Sequence, residues 1–497
     1  MPHHDLTKSK IALFEQCPKR LWLSAHRKDL IKIDDATQAR FDTGDAVGAL
    51  ACDQVEGGVM VSIDDGASSA LEKTAELIET GDRPIFEATF QHEGVLVRVD
   101  IMDPDGNGGW HVSEVKSTAS RKDYHIADLA TQVWVLAGAG VTIASASIRH
   151  INSSFVYTKE NDYSGMLLDR PSDEKVRPIV SERLAVVAAA RQTLKGDEPE
   201  IKPGPHCDEP FSCDFKAYCF RNINTPEWPV SLLPRTGKRL SEEYTQAGIV
   251  ELTDIAAGEL KSPLHERIRE ATVRGIPFHD CSKANELTQG WSYPRIYLDF
   301  ETINPAIPRW LGTRPFQQIP FQFSMHIESE PAGDLEHQDF LYLENEDPRR
   351  AFTEALLEGI PPTGSIITYN ASFERGRLKE LAVLFDDLSE QIRELIDRVV
   401  DLEPVARQCW YHRDQRGSWS IKYVLPTIPG MTGYDELDVQ DGMAAQRAYL
   451  EALEEPVGSA RRRQIETDLR EYCAKDTMAM VELLRHLLGG LVVTCNT

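Results

Sequence analysis

"RIYLDFETI", residues 295–303, sets two acids into an apolar run. In a strand, alternate side chains face opposite ways. Asp299 and Glu301 then share one face, and Ile296, Leu298 and Phe300 share the other. Two neighbouring carboxylates on a half-buried strand repel each other and lose hydration. A divalent metal offsets both costs; an accidental pair at a wet strand end needs no such partner.

Downstream, "IITYNASFERGRLKELA" (366–382) reads as a strand ending at Asn370, then a helix carrying Glu374 and Leu378. "LREYCAKDTMAMVELLRHL" (469–487) reads as a strong helix with Tyr472 and Asp476 at i and i+4, on one face. The strand pair, the helix after "YN" and the Tyr-x₃-Asp helix together resemble the DnaQ-like (DEDD) exonucleases, in the variant with tyrosine, from Tyr293 onward. That resemblance implies an RNase H-like α/β fold and 3′→5′ exonuclease activity. It also implies two Mg²⁺ or Mn²⁺ ions about 4 Å apart, bridged by Asp299, with Glu301 and Asp476 completing their shells. Glu374 is the fourth acid, where the family's motif usually ends in Asp. Tyr472 would orient or deprotonate the attacking water. Asn370 is expected to contact nucleic acid. "SWSIKYVLPTI" (418–428) resembles the family's segment before the last helix, and Asp401 falls in a supporting position.

A second carboxylate group lies upstream in "VLVRVDIMDPDGNGGWHVSEVKST" (95–118). Val95, Val97, Val99 and Ile101 alternate strictly, "DPDGNGG" is a turn, and "WHVSEVKS" is a second strand. The hairpin brings Asp100 near Glu114, and Lys116 shares the Glu114 face. Asp103, Asp105, Asn107, Gly108 and Glu114 also fit the calcium-loop expression, but that loop needs a helix on each side and the flanks here alternate as strands. Asp…Glu-x-Lys on a hairpin followed by a helix resembles the PD-(D/E)XK nuclease superfamily. The resemblance implies a hard cation on Asp100 and Glu114, with Lys116 orienting or deprotonating water. Gln132 on the next helix matches the first position of the RecB-like Gln-x-x-x-Tyr motif, with Leu136 at the Tyr position. Glu87 in "IFEATF" is a further candidate ligand. The metal-binding His of many RecB-like members has no counterpart in "FDTGDAVGALA".

Four of the nine cysteines flank this segment: Cys17 in "FEQCPKRLWL", and Cys207, Cys213 and Cys219 in "CDEPFSCDFKAYC". Four thiolates hold a [4Fe–4S] cluster or zinc. One Cys before a nuclease core and three after it resembles the iron–sulfur RecB-like nucleases, in which a cluster clips the two ends of the domain together. The x₅ and x₅ spacing departs from the x₂ and x₅ often found there. The relatives act on DNA, which favours DNA over RNA as substrate. The other five cysteines (Cys52, Cys281, Cys409, Cys473, Cys495) are scattered, and the chain shows no secretory leader, so disulfides are not expected.

The chain is α/β and multidomain. Its 497 residues are too many for one core. The expected organisation is a PD-(D/E)XK domain at 1–228, a small helical connector at 229–290 and an RNase H-like exonuclease domain at 291–497. A net charge of −25 argues against a broad basic coat. Residues 7–33, however, hold seven Lys or Arg against two acids, so Lys19 and Arg20 are expected along a nucleic-acid path. No run of 18 apolar residues occurs, so a cytoplasmic protein without a membrane span is expected. The whole arrangement resembles bacterial two-nuclease proteins of a domain-of-unknown-function family, with partner proteins of a repair or anti-phage defence system conceivable. The competing reading is a nucleic-acid-binding scaffold with one or both sites inactive. A redox-sensing regulator would need a reader such as a helix-turn-helix, and none is recognisable.

Overall fold

The computed structural model describes residues 5–31, 35–221, 223, 225–235, 237–434 and 437–489. Cys495 and residues 32–33 of the basic segment lie outside them. The chain forms two compact units: Met1–Ile223 with Pro305–Gln317, and Asn224–Asn304 with Gln318–Thr497. Both are mixed α/β.

The first unit is built on a seven-stranded sheet. Its strands are β1 (Leu6–Thr7), β2 (Val59–Met60), β3 (Ile85–His92), β4 (Val95–Pro104), β5 (Trp110–Lys116), β6 (Ile143–Ile151) and β7 (Leu167–Pro171). The order is β2-β3-β4-β5-β6-β7, with β1 paired to β4. The valine alternation of β4 buries Val95, Val97 and Val99. The following turn is tied by Asp105, whose Oδ1 accepts the N–H groups of Asn107 (2.7 Å) and Gly109 (2.8 Å). An antiparallel hairpin results, not a calcium loop. The amphipathic start breaks at Cys17–Pro18 into α1 (Lys8–Gln16) and α2 (Pro18–His26), because proline is tolerated only in a first turn. Helix α3 (Asp35–Asp53) and α4 (Ala67–Thr80) precede the sheet's main strands. Helix α5 (Asp123–Gly138) makes the crossover between the parallel β5 and β6. It buries Ile126, Leu129, Val135 and Leu136 against the sheet. Helices α6 (Asp173–Val180), α7 (Arg183–Lys195) and the short α8 (Lys216–Phe220) follow.

In the second unit, helices α9 (Gly237–Gln246), α10 (Pro263–Arg274) and α11 (Cys281–Thr288) span most of the expected connector. That stretch is not a module of its own. Trp228, Leu252, Ile268 and Ala284 share one core with Tyr297, Leu402 and Leu484. Strands β8 (Phe278–His279) and β14 (Trp410–Tyr411) pair as a separate ribbon. The main sheet runs β11-β10-β9-β12-β13. It comprises β9 (Arg295–Ile303), β10 (Ile319–Glu328), β11 (Leu335–Leu341), β12 (Ser365–Thr368) and β13 (Val399–Asp401). Strand β9 is central: β10 flanks it antiparallel and β12 parallel.

Both faces of β9 are covered, where a half-buried strand was expected. Ile296, Leu298 and Phe300 pack with residues of α12 (Arg349–Gly359), α13 (Ser372–Leu384) and α14 (Ser389–Arg398). On the other face, α17 (Gly442–Glu454) and α18 (Ala460–Leu487) lie over the acids, after the short α15 (Glu403–Cys409) and α16 (Ile421–Val424). Buried Gln322 donates to the Leu469 carbonyl at 2.8 Å, pinning α18 to β10. Among the described residues no helix is long and apolar enough to cross a membrane.

Phe352 is fully buried and meets Phe300, Phe323 and Phe340 edge-on, with centroids 5.0, 5.5 and 6.3 Å away. Phe352→Ala should therefore cost about 3–5 kcal/mol in denaturant unfolding of the second unit. A loss below about 1 kcal/mol would contradict this packing.

Candidate functional sites

Strand β9 presents Asp299 opposite Ser324 and Glu301 opposite Gln322. Helix α18 adds Tyr472 and Asp476 one turn apart, and α13 adds Glu374 from its first turn. Asp299, Glu301, Asn370, Glu374, Tyr472 and Asp476 all line one cleft of about 800 Å³. Sequence reasoning named all six. Asp401 has the supporting role expected of it: its carboxylate accepts the N–H groups of Asn370 and Ala371, each at 3.0 Å. This holds Asn370 in its left-handed conformation (φ 71°) at the start of α13.

The cleft concentrates negative charge away from water. Burial raises Asp299 well above its ordinary value, and Asp476, Glu301 and Glu374 add to the rise. Burial and the Asp476 charge push Glu301 up to about 8, with Lys422 pulling the other way. Burial, helped by Asp401, pushes Glu374 up to about 8. Burial also raises Asp476, against hydrogen bonds from Tyr434 and Tyr472. Glu374 Oε2 is buried without a hydrogen-bond partner. Ligand atoms of Asp299, Glu301 and Cys473 lie within 4.8 Å of one another. The two carboxylates of that group fit a hard divalent cation, and the Cys473 sulfur is a softer ligand.

Three residues here escaped the sequence reading. Tyr434 donates to Asp476 Oδ1 at 2.6 Å. Lys422 Nζ lies 3.2 Å from the Tyr472 hydroxyl. Cys473 sits beside Asp299 and Glu301. Lys422 falls inside the segment 418–428 that resembles the family; nothing in the local sequence signals Tyr434.

In the first unit, the β4–β5 register sets Ile101 against Ser113, so Asp100 faces Glu114. Asp100 Oδ2 accepts the Val115 N–H at 2.6 Å. Glu87 falls opposite Asp100, between the pairs Phe86↔Ile101 and Ala88↔Val99, has φ 55°, and pairs with Arg98 at 3.1 Å. Buried Glu114 meets three donors. Its Oε1 meets Lys8 Nζ at 2.6 Å and Lys116 Nζ at 2.8 Å, and its Oε2 accepts from Gln132 Nε2 at 2.5 Å. Lys116 also meets Asp128 at 2.8 Å. Burial works to raise Glu114, but the two ammonium groups outweigh it and hold the carboxyl far below its usual range. Asp100 has no such pair: burial and the Glu114 charge push it up to about 7. Lys8 and Asp128 were not singled out from sequence. Leu136, at the RecB-like Tyr position, is a core residue.

Cys17, Cys207, Cys213 and Cys219 line one cavity. Cys17 ends α1, and Cys207 accepts the Cys213 N–H through its carbonyl at 2.8 Å. Gln16 Nε2 donates to the carbonyls of His206 (2.9 Å) and Phe211 (2.7 Å), closing α1 onto the cysteine loop. Lys19 and Arg20, expected along a nucleic-acid path, lie beside the cysteine cavity. Lys19 pairs with Glu198 at 2.7 Å and Arg20 with Asp214 at 2.8 Å, both around the cysteine cavity. Their charges are neutralised locally and clip the same loop. Cys281 is disulfide-bonded, against the expectation for the scattered cysteines.

Residues 296–420 match a family described as a domain of unknown function, DUF2779. They include Asp299, Glu301 and Glu374 but stop short of Tyr472 and Asp476. "Uncharacterized protein MG366" of Mycoplasma genitalium is 26% identical over 209 residues, 38% of this chain and 31% of that protein. Its homolog in Mycoplasma pneumoniae is 26% identical over 224 residues, 41% of this chain and 33% of that protein. "Uncharacterized protein UU173" of Ureaplasma parvum serovar 3 is 29% identical over 213 residues, 38% and 30% respectively. The chain thus spans about a third of the length of these relatives. A solved structure titled "Crystal structure of SSO0001" aligns at 16% identity over 43% of this chain and 84% of that one, with a TM-score of 0.21, too loose an overlap to argue from.

The buried acids carry a pH signature. An acid whose folded pKa lies above its unfolded value binds its proton more tightly when folded, so stability falls as pH rises between the two values. For Glu301 that window runs from 4.5 to about 8. Asp299→Asn removes one repelling charge. In chelator-treated protein its unfolding free energy, relative to wild type, should be higher at pH 8 than at pH 5 by at least about 1.4 kcal/mol. Equal differences at the two pH values would contradict the charge crowding.

Proposed function

We propose that this chain is a metal-dependent nuclease, a hydrolase of phosphodiester bonds in DNA, with two separate sites. The second unit would be the DEDD-type 3′→5′ exonuclease of RNase H-like fold, and the first a RecB-like PD-(D/E)XK nuclease. The observation that carries the reading is the meeting of Asp299, Glu301, Glu374, Tyr472 and Asp476, from three distant elements, in one cleft. Lys422 offsets only part of the mutual repulsion among the buried carboxylates, and this donor set suits Mg²⁺ or Mn²⁺.

In the second site Asp299, Glu301, Glu374 and Asp476 would hold the ions, which when bound supply an activated water and stabilise the leaving oxygen. Tyr434 fixes one oxygen of Asp476 by donating to it. Tyr472, with its hydroxyl near Lys422 Nζ, would orient the attacking water. Its own proton is held tightly, because burial and the surrounding acids raise it far above the ordinary tyrosine range. It therefore serves better as a positioner than as a base. In the first site Asp100 and Glu114, with Glu87 near, would hold the cation, and Lys116 would face the developing phosphate charge.

The four thiols around the cysteine cavity suit a [4Fe–4S] cluster, with zinc as the alternative. The cluster's role would be to clip α1 to the loop that carries Cys207, Cys213 and Cys219.

A nucleic-acid-binding scaffold is the second reading, and the ion pairs of Glu114 with Lys8 and Lys116 favour inactivity at the first site. Cleavage of end-labelled single- and double-stranded DNA and RNA in Mn²⁺ separates the two. Lys116→Ala and Asp476→Ala should each remove a different activity by on the order of 10²-fold or more. Absence of cleavage by well-folded, cluster-loaded wild type on every substrate supports the scaffold. Cys213→Ala should lose brown colour and solubility; a stable, colourless and fully active variant would refute the clip.

A further inference from the structure

The first site holds a cation of its own. Glu114 Oε1 receives two ammonium groups, Lys8 at 2.6 Å and Lys116 at 2.8 Å, and Oε2 receives Gln132. A carboxylate oxygen offers two acceptor directions. Both directions of Oε1 are taken, so a divalent ion reaching that atom must displace one ammonium. Lys116, if displaced, keeps Asp128. Lys8 has no other carboxylate partner among the described residues. The Lys8 charge also acts on Asp100, the second expected ligand, and holds it down. Lys8 therefore stands within the field of both carboxylates.

It is held there by the fold. Thr7 Oγ1 caps α1 by accepting the Lys10 N–H at 3.3 Å. Leu6, fully buried, pairs with Val95 of β4, the strand that carries Asp100. Ile11, fully buried, anchors the next turn. The far end of α1 is Cys17 in the cysteine cavity. One short helix thus spans from the cysteine clip to the acid pair.

We propose that Lys8 is a tethered cation that competes with a divalent ion for Glu114 and so weakens metal loading at the first site. The inference rests on the metal assignment for Asp100 and Glu114 above. It adds a gate to that site: metal affinity is set by a competitor built into the chain.

The test is a Mn²⁺ titration of the full, cluster-loaded chain, read by calorimetry and by the spectrum of free Mn²⁺. It is made in an Asp299→Asn, Glu301→Gln background, so that the second site is silent. Lys8→Met should bind Mn²⁺ roughly tenfold more tightly than the background protein. Lys8→Gln should shift in the same direction, and serves if Lys8→Met lowers the folded yield. Lys10→Met removes an equal charge two residues along, where the ammonium donates to the Asp5 carbonyl at 2.9 Å. It should leave the affinity unchanged. Unchanged or weaker binding in both Lys8 variants overturns the gate while leaving the metal assignment standing, as does an equal gain in Lys10→Met. No Mn²⁺ binding in any variant overturns both.

Discussion

Carboxylates packed side by side on buried strands must be neutralised, and the two units meet that demand differently. In the first, the charge of Glu114 is balanced by Lys8 and Lys116 within the chain. In the second, Asp299, Glu301, Glu374 and Asp476 converge on one cleft, where Lys422 offsets only part of their repulsion and all four pKa values are raised. A lone buried carboxylate would simply stay protonated. A cluster of them on rigid elements, opening on a cleft, retains both the repulsion and the access that a divalent cation needs.

The rigidity comes from the elements that carry the acids. Strand β9 is central and covered on both faces, so the positions of Asp299 and Glu301 are fixed by its pleat. Helix α18 is pinned to β10 by Gln322, and further by Thr477, which bonds Ser324 and His326. Asp476 precedes Thr477 and so inherits that position. In the first unit α1 has an equivalent task, reaching Glu114 with Lys8 at one end and the cysteine cavity with Cys17 at the other.

Much of this was legible in the sequence because periodicity is a local signal. The strict alternation of β4 gave the hairpin and so the Asp100–Glu114 pairing; the i, i+4 spacing of Tyr472 and Asp476 gave one helix face. Contacts made across elements were not legible. Tyr434 and Lys8 reach their acids over 42 and 106 residues, and no local pattern marks either. The ion pairs of Lys19 and Arg20 were illegible for a related reason. Local charge density was visible, but their partners Glu198 and Asp214 lie nearly 200 residues away. The connector expected at 229–290 also failed, because its polar surface hid the residues that complete the core around Tyr297.

The most direct test of divalent-cation binding is a crystal structure of the full chain grown in manganese, with anomalous scattering recorded at the manganese edge. The account predicts anomalous peaks bounded by Asp299, Glu301 and Asp476, with their carboxylates turned inward. Carboxylates pointing apart around an empty cleft, in a crystal saturated with Mn²⁺, would contradict it.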